Sequence, residues 1–401
     1  MIQYMRNNSS DILERRVAKI LPNKDGLERL MSKKKIRVYF GVDPTSTKLH
    51  LGHTIGLRTL QDFADAGHEA ILLFGTGTVL VGDPSLRKEA RKTISQKIIE
   101  QNIKTWEQQV KPIIDFNKIE IKQNGDWLTK LTLKDIVNIA SKVTAVQLFK
   151  RESFQRRIEQ GSTVWYHETM YPLLQGYDSV AMDVDLEIGG TDQEFNMLMG
   201  RELQKKINHR EKFVLITHMI TGTDGKPMSK TSGNCIWLTD SANDMFGKIM
   251  KIRDDLMPNY FEFFTDKPTE EIKQLKQNLK QGRSDPISVK KNLAHAIASQ
   301  FHGQIKANEA LHYFETVTQK KQAPENTVLF YPSRPTLTSL GTVTQAELAE
   351  SNSQAKRIIQ QGGFSVDNKK ITNPKQQIKY KGGEVIKFGK RDFRKVKIEK
   401  T

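Results

Sequence analysis

A chain of 401 residues, 37% hydrophobic and 27% charged with a mean hydropathy of −0.55, contains no apolar run near the ~20 residues of a membrane-spanning helix, which excludes an integral helical membrane protein. Its single cysteine, Cys235, excludes an intramolecular disulfide and a multi-cysteine zinc site, so no structural metal is expected. The formal charge of +17 suits a polyanionic partner such as nucleic acid, although a general lysine bias would produce the same number.

At ~100–200 residues per domain the length implies two or three domains. The N-terminal stretch lacks the apolar core of a secretory signal, and Asp11 with Glu14 argues against an organellar transit peptide, so a cytoplasmic protein is expected. From Asp11 to Leu21 the spacing of Leu13, Val17, Ile20 and Leu21 predicts an amphipathic helix, with Asp11 and Glu14 placed as a capping box. Ile36, Val38, Phe40 and Val42 then alternate as in a strand that Asp43-Pro44-Thr45 breaks. Ala70 to Phe74 is continuously apolar, as buried parallel strands are, and stops at Gly75-Thr76-Gly77. Further strand-like runs lie around Val180 to Ile188 and Phe213 to Ile220, with helical stretches at 94–114, 133–150 and 194–206. This alternation predicts an α/β fold: a Rossmann-like, doubly wound parallel sheet over 1–240, with ligand at the carboxyl ends of its strands. Residues 241–325 read as an α-helical domain, 319–335 as a Pro- and Lys-containing linker, and 336–401 as a small basic α+β module. Residues 351–401 alone hold 14 Lys/Arg against 4 Asp/Glu.

Two segments carry candidate chemistry. Leu49-His50-Leu51-Gly52-His53 opens a helix after the first predicted strand. There the helix dipole and free N–H groups favour anions, two histidines three apart can meet a phosphate, and Gly52 would admit a nucleotide to the backbone. Lys226-Pro227-Met228-Ser229-Lys230-Thr231 places two ammonium groups on a Gly-flanked loop able to close over a triphosphate. Taken singly, the first segment reads more readily as a pair of surface histidines with zinc-like spacing, and the second as a solvated loop.

Together and in this order the two segments resemble the HIGH and KMSKS signatures of class I aminoacyl-tRNA synthetases. Resemblance to the tyrosyl branch rests on further matches: Tyr39-Phe40-Gly41-Val42-Asp43-Pro44-Thr45, Gly82-Asp83-Pro84-Ser85, Tyr171-Pro172-Leu173-Leu174-Gln175-Gly176-Tyr177-Asp178 and Gly189-Gly190-Thr191-Asp192-Gln193. The resemblance implies an enzyme that activates L-tyrosine with ATP, assisted by Mg2+, and transfers it to the terminal adenosine of tRNA(Tyr), as a homodimer that needs no membrane. It implies that Tyr39 and Asp178 meet the phenolic hydroxyl, that Asp83, Tyr171 and Gln175 hold the α-ammonium, and that Gln193 joins them around tyrosine and the adenylate. His50, His53, Asp43 and Thr45 would surround the reacting phosphate. Gly41, Gly52, Gly190 and Asp192 would receive the nucleotide, with Lys226 and Lys230 above it. A basic loop carrying Arg87, Lys88 and Arg91 would help bind pyrophosphate. The family's first loop lysine falls on Pro227 here, so Lys230 is expected to carry more of that interaction than Lys226. The basic module resembles an S4-type RNA-binding fold, with Lys356 and Arg357 on its helix and Lys369 and Lys370 on the next strand, types suited to phosphate-backbone contacts.

Three other readings fit parts of the pattern. A tryptophanyl enzyme shares the architecture, but Tyr39 with Asp178 suits a phenol better than an indole. A small nucleotidyltransferase would have no use for the basic module. An RNA-binding protein that kept the fold without activity would not need near-complete motifs.

Overall fold

The computed structural model describes residues 9–85, 95–230, 232–320, 322–324, 327–389 and 392–398. Two compact units emerge, Met1–Ala307 and Asn308–Thr401. The first is built on a six-stranded sheet of β1 (Val17–Leu21), β2 (Arg37–Val42), β3 (Glu69–Phe74), β4 (Ile119–Gln123), β5 (Leu186–Gly190) and β6 (Phe213–Thr217). Their spatial order is β1-β6-β5-β2-β3-β4, and every pairing is parallel except that of β1 with β6. Helices cover both faces, which is why Ala70 to Phe74 can be apolar without interruption and is at most 3% exposed. The chain runs outward from β2 to β3 and β4, then returns to lay β5 on the other side of β2. The order therefore reverses between β2 and β5, and at such a switch point a crevice opens beyond the carboxyl ends of the strands.

The helices set what enters that crevice. A 3-10 turn, Leu51–His53, leads into the helix Thr54–Asp65, which is buried from Thr54 to Ala64 beneath the sheet. Helices Tyr171–Met182 and Glu194–Ile207 cross at two glycines: a Cβ on Gly176 would lie 2.9 Å from Leu203 Cδ1 and 3.1 Å from the backbone nitrogen of Gly200. Helices Ala242–Ile249, Met257–Phe264, Thr269–Lys280 and Pro286–His302 complete the unit, with Phe246, Phe264, Leu293 and Ile297 fully buried. Among the described residues no helix is long and apolar enough to cross a membrane.

The structure departs from the sequence reading at four places. The helix expected from Asp11 to Leu21 is a short helix, Ser9–Ile12, followed by strand β1. Arg16 adopts φ 66° between them, its guanidinium paired with Asp62, while Arg15 donates to the carbonyl oxygens of Glu262 (2.9 Å) and Thr265 (2.5 Å). These contacts and the open edge of β6 override local helix propensity. The run from Val180 to Ile188 contains the end of a helix, a left-handed cap at Asp183 (φ 49°) and only then β5. The stretch 133–150 divides into Leu133–Ala140 and Ala145–Phe149, the latter restarted by a Thr144/Gln147 capping box. Strand β4 was not anticipated, because its sequence, IEIKQ, is half polar at a sheet edge.

The second unit holds a five-stranded sheet ordered Lys369–Lys370, Phe364–Val366, Val385–Phe388, Asp392–Val396 and Leu329–Phe330, and a two-stranded sheet pairing Thr336–Thr338 with Gln377–Lys379. Its helices Ser339–Gln345 and Asn352–Gln360 pack on a core that includes Val343, Ile359, Phe364 and Ile386. Asp367 and Asn368 both have positive φ and form the tight turn before Lys369.

Because the Gly176 crossing leaves no room for a methyl group, Gly176→Ala is expected to destabilise the first unit by about 1–3 kcal/mol through overpacking. Thermal unfolding checks this; an unchanged midpoint would mean that the two helices are free to separate.

Candidate active site

Beyond the ends of β2, β3 and β5 lies a cavity of about 420 Å³. Tyr39, Gly41, Asp43, Thr45, His50, Gly52, His53, Asp83, Tyr171, Gln175, Asp178, Gly190, Asp192 and Gln193 all line it. The sequence therefore assigned to one place residues that the fold draws from five separate segments.

One half of the cavity is a connected set of hydrogen bonds around buried carboxylates. Asp178, 2% exposed, accepts from Asn124 Nδ2 (3.0 Å) and from Trp127 Nε1 (2.9 Å), one donor on each oxygen. Burial nevertheless pushes its carboxyl well above the ordinary aspartate range, with Glu187 and Asp43 adding to the rise. Asn124 also holds the Gly77 N–H through its Oδ1 (2.7 Å) and donates to Thr78 Oγ1 (3.1 Å). Thr78 in turn donates to Asp43 Oδ1 (2.8 Å), and Tyr171 donates to Asp43 Oδ2 (3.0 Å). Gly75 permits this arrangement, since a Cβ there would lie 1.9 Å from Asp43 Oδ1. Tyr39, 1% exposed, places its hydroxyl 3.1 Å from Ser179 Oγ. Gln175 donates to Glu187 Oε1 (3.1 Å) and accepts from Asn196 (2.9 Å), which also donates to Gln193 Oε1 (2.9 Å). Gln193 donates to Asp83 Oδ2 (2.9 Å), while Asp83 Oδ1 accepts from the Ser85 hydroxyl (2.7 Å) and pairs with Arg151 at 3.1 Å. Burial also raises the Asp192 carboxyl.

The other half is built on the histidine turn. The imidazole centroids of His50 and His53 are 3.7 Å apart, and His53 Nδ1 sits 3.1 Å from both the backbone nitrogen and the backbone oxygen of His50. Among the described residues His50 Nδ1 has no hydrogen-bond partner. Burial lowers His50 to about 2 and His53 to about 4, and the Lys230 ammonium contributes to both shifts, so both rings are neutral at pH 7. Gly52 has a role the sequence did not suggest: a Cβ there would stand 3.1 Å from the His50 ring and from Ile220 Cγ2. Lys230 donates to Ser46 Oγ (2.7 Å) and stands near the histidines.

Several expected residues lie elsewhere. Lys226 and Lys230 are both exposed, and neither lines the cavity. Arg87, Lys88 and Arg91 fall outside the described residues. Lys356 and Arg357 are exposed on the helix Asn352–Gln360, and Lys369 and Lys370 are exposed on their strand. The described residues contain no group of three or more His, Cys, Asp or Glu able to hold a metal. The sequence reading missed Asn124, Trp127, Thr78, Ser179, Glu187, Lys212 and Arg151. Of these only Asn124 carried a local signal, an Asn-Gly turn after an alternating run.

A family model described as tRNA synthetases class I (W and Y) matches residues 31–319, and an S4 domain model matches 342–386. The tyrosine–tRNA ligase of Thermotoga maritima is 38% identical over 387 residues, which is 96% of each chain. That of Mannheimia succiniciproducens is 39% identical over 388 residues, covering 96% of this chain and 97% of the relative. Among solved structures, the tyrosyl-tRNA synthetase of Archaeoglobus fulgidus complexed with L-tyrosine shares the fold with a TM-score of 0.60 at 20% identity, over 75% of this chain and 98% of that one. A tryptophanyl-tRNA synthetase of Plasmodium falciparum does so with a TM-score of 0.56 at 17% identity, over 72% and 83%.

The lowered histidines have a measurable consequence. The fold favours neutral His53, so the stability this ring contributes is whole above the ordinary value of about 6.5 and is lost as pH falls towards 4. His53→Gln is therefore expected to flatten the fall in thermal unfolding temperature between pH 6.5 and 4. Identical slopes for the two proteins would show that the ring titrates normally.

Proposed function

The chain belongs to the class I tRNA synthetases of the tryptophan and tyrosine family, and we propose that it is a tyrosine–tRNA ligase acting in the cytoplasm. The observation that carries the choice of amino acid is Asp178, a buried carboxyl group that lines the cavity together with Tyr39 and accepts from Asn124 and Trp127. A phenolic O–H satisfies that acceptor, whereas phenylalanine would leave it unpaired; discrimination by this enzyme family is also a standard worked case of the same principle. Relatives named as tyrosine–tRNA ligases match almost the whole chain, which supports tyrosine over tryptophan.

In the proposed reaction a carboxylate oxygen of tyrosine attacks the α-phosphorus of ATP. The bond from that phosphorus to the bridging oxygen breaks, and pyrophosphate leaves. A hydroxyl of the terminal adenosine of tRNA(Tyr) then attacks the tyrosyl carbonyl, and AMP departs. No side chain forms a covalent bond, so the protein supplies positioning and electrostatic stabilisation. Asp83, Tyr171, Gln175 and Gln193 orient the amino-acid backbone. Neutral His50 and His53 donate to phosphate oxygens at the start of the helix, where the dipole adds to their effect. Lys230 balances charge that develops on pyrophosphate, with Lys226, Arg87, Lys88 and Arg91 in a lesser share. Gly41, Gly52, Gly190 and Asp192 receive the nucleotide. Mg2+ would arrive bound to ATP and neutralise its phosphates.

The C-terminal unit is proposed to hold tRNA by backbone contacts from Lys356, Arg357, Lys369 and Lys370, with helices in 241–325 towards the anticodon side. A homodimer is proposed through the apolar surface between 133 and 166, where Leu133 and Tyr166 are each 80% exposed and Val137, Val146 and Trp165 more than half so.

Pyrophosphate exchange run with each amino acid tests the assignment, and tyrosine alone is expected to support it. Tyr39→Phe should lower the preference for tyrosine over phenylalanine modestly, since a neutral hydrogen bond is worth about 0.5–1.5 kcal/mol, and Asp178→Asn should lower it more. Unchanged kcat/KM ratios in both variants would place amino-acid recognition elsewhere.

A chain ending at residue 335 separates the two activities. It should retain a dimer's mass by sedimentation equilibrium and full pyrophosphate exchange, while aminoacylation at low tRNA concentration falls and loses its steep dependence on salt. Undiminished aminoacylation would rule out tRNA binding by residues 336–401.

A further inference from the structure

Beneath the proposed tyrosine pocket lies an ion pair that the mechanism above does not use. Lys212 and Glu187 are joined through Nζ and Oε2, with side chains 0% and 2% exposed. A buried pair of this kind costs desolvation that its own attraction barely offsets, and hydrophobic side chains of similar size would serve stability as well. Its contacts suggest a different use. Lys212 Nζ also donates to Ser179 Oγ at 2.8 Å and lies 5.9 Å from the centre of the Tyr39 ring. Glu187 Oε1 accepts from Gln175 at 3.1 Å. The pair therefore touches the supports of two residues placed around the substrate.

We propose that Lys212, held by Glu187, is a specificity-determining positioning residue that orders the hydroxyls of Ser179 and Tyr39 so that the pocket selects a phenol. The order follows from counting donors. An ammonium can only donate, so Ser179 Oγ accepts from Lys212 and must place its own proton elsewhere. Glu187 Oε2 accepts from Lys212 and lies 3.5 Å from Ser179 Oγ, so the Tyr39 oxygen, at 3.1 Å, is the nearer acceptor for the Ser179 proton. In the proposed order Ser179 donates to the Tyr39 oxygen, and the Tyr39 O–H turns from Glu187 to the substrate's phenolic oxygen when tyrosine binds. The phenol in turn donates to Asp178. Every hydrogen bond then runs the same way, from the Lys212 ammonium towards the Asp178 carboxyl group, and aligned chains of this kind strengthen one another. Phenylalanine would interrupt the chain at its centre.

This inference rests on the tyrosine-pocket reading, and the test separates the two. Ser179→Ala removes the link at little cost in volume. Lys212→Met with Glu187→Gln removes both charges together and so leaves no unpaired ion. Each is expected to lower the ratio of kcat/KM for tyrosine over phenylalanine about 3- to 10-fold in pyrophosphate exchange, mainly through KM for tyrosine, with KM for ATP unchanged. Ser179→Ala added to the double variant should lower the ratio little further, because the link is already broken. If the wild-type protein shows no preference for tyrosine, the pocket reading fails. If the wild type and Tyr39→Phe behave as that reading requires, but Ser179→Ala keeps the wild-type ratio, the role of Lys212 alone is overturned. Losses in the double variant that fall equally on KM for ATP and on kcat would likewise mark the pair as structural. Should the double variant not fold, Ser179→Ala decides.

Discussion

Burying carboxylates at the open end of a parallel sheet is the constraint from which the rest of the site follows. Asp43 stands just past the end of β2, Glu187 lies within β5, and Asp178 is on the helix that precedes β5. Left alone, the buried Asp178 and Glu187 would each either take up a proton or destabilise the fold by several kcal/mol. The chain answers with donors drawn from loops that have no other reason to meet. Asn124, after β4, reaches both Asp178 and the turn after β3, and that turn supplies Thr78 to Asp43. The Asp43 and Asp178 carboxyl groups, linked through Thr78 and Asn124, thus tie the ends of three strands and one helix into a single polar unit that lines the cavity.

The same constraint explains why glycines matter where they do. Gly75 makes room for the Asp43 carboxylate, Gly52 for the His50 ring, and Gly200 for Lys212, whose Nζ would lie 2.6 Å from a Cβ at that position. None of these three is required by a left-handed backbone. Each is the absence of a side chain beside a charged or ring-bearing group that could not otherwise be placed. Gly41 differs, because a Cβ there would touch only the Tyr39 ring, at 3.6 Å, and otherwise faces open cavity.

How much of this could be read from sequence depended on whether the signal was local. β2 was legible from its alternation, β3 because an interior strand of a parallel sheet is apolar on both faces, and the histidine turn because its residues are contiguous. β1 was not, since Leu13, Val17, Ile20 and Leu21 satisfy a helical period and nothing nearby announces the edge of β6, two hundred residues on. Resemblance to a known family collected the cavity-lining residues. It could not reach the residues behind them. Lys212 sits in the run Arg210-Glu211-Lys212, which by composition is ordinary solvated charge, and its burial depends on Glu187, 25 residues earlier and one strand across. The use of Ser179, next to Asp178, becomes visible only once Tyr39 and Lys212 are brought to its hydroxyl.

The distribution of charge around the cavity also decides how two substrates can share it. Asp83, Asp178 and Glu187 line one part of the cavity, while the histidine turn is neutral and borders Lys230. An ammonium group is drawn to the carboxylates, and a triphosphate is repelled by them. On the proposed reading tyrosine therefore enters with its amino group towards Asp83 and Gln175, and ATP turns its phosphates to the opposite side. There backbone N–H groups, two uncharged imidazoles and Lys230 await them. The neutrality of the imidazoles is part of this division. A charged histidine would bind every state of the phosphates tightly, including the departing pyrophosphate, whereas a neutral donor contributes geometry and leaves charge compensation to groups that can move away with the product. The fold thus sets two opposite electrostatic demands a few residues apart on the same strand ends, and the reacting atoms meet where the two regions adjoin.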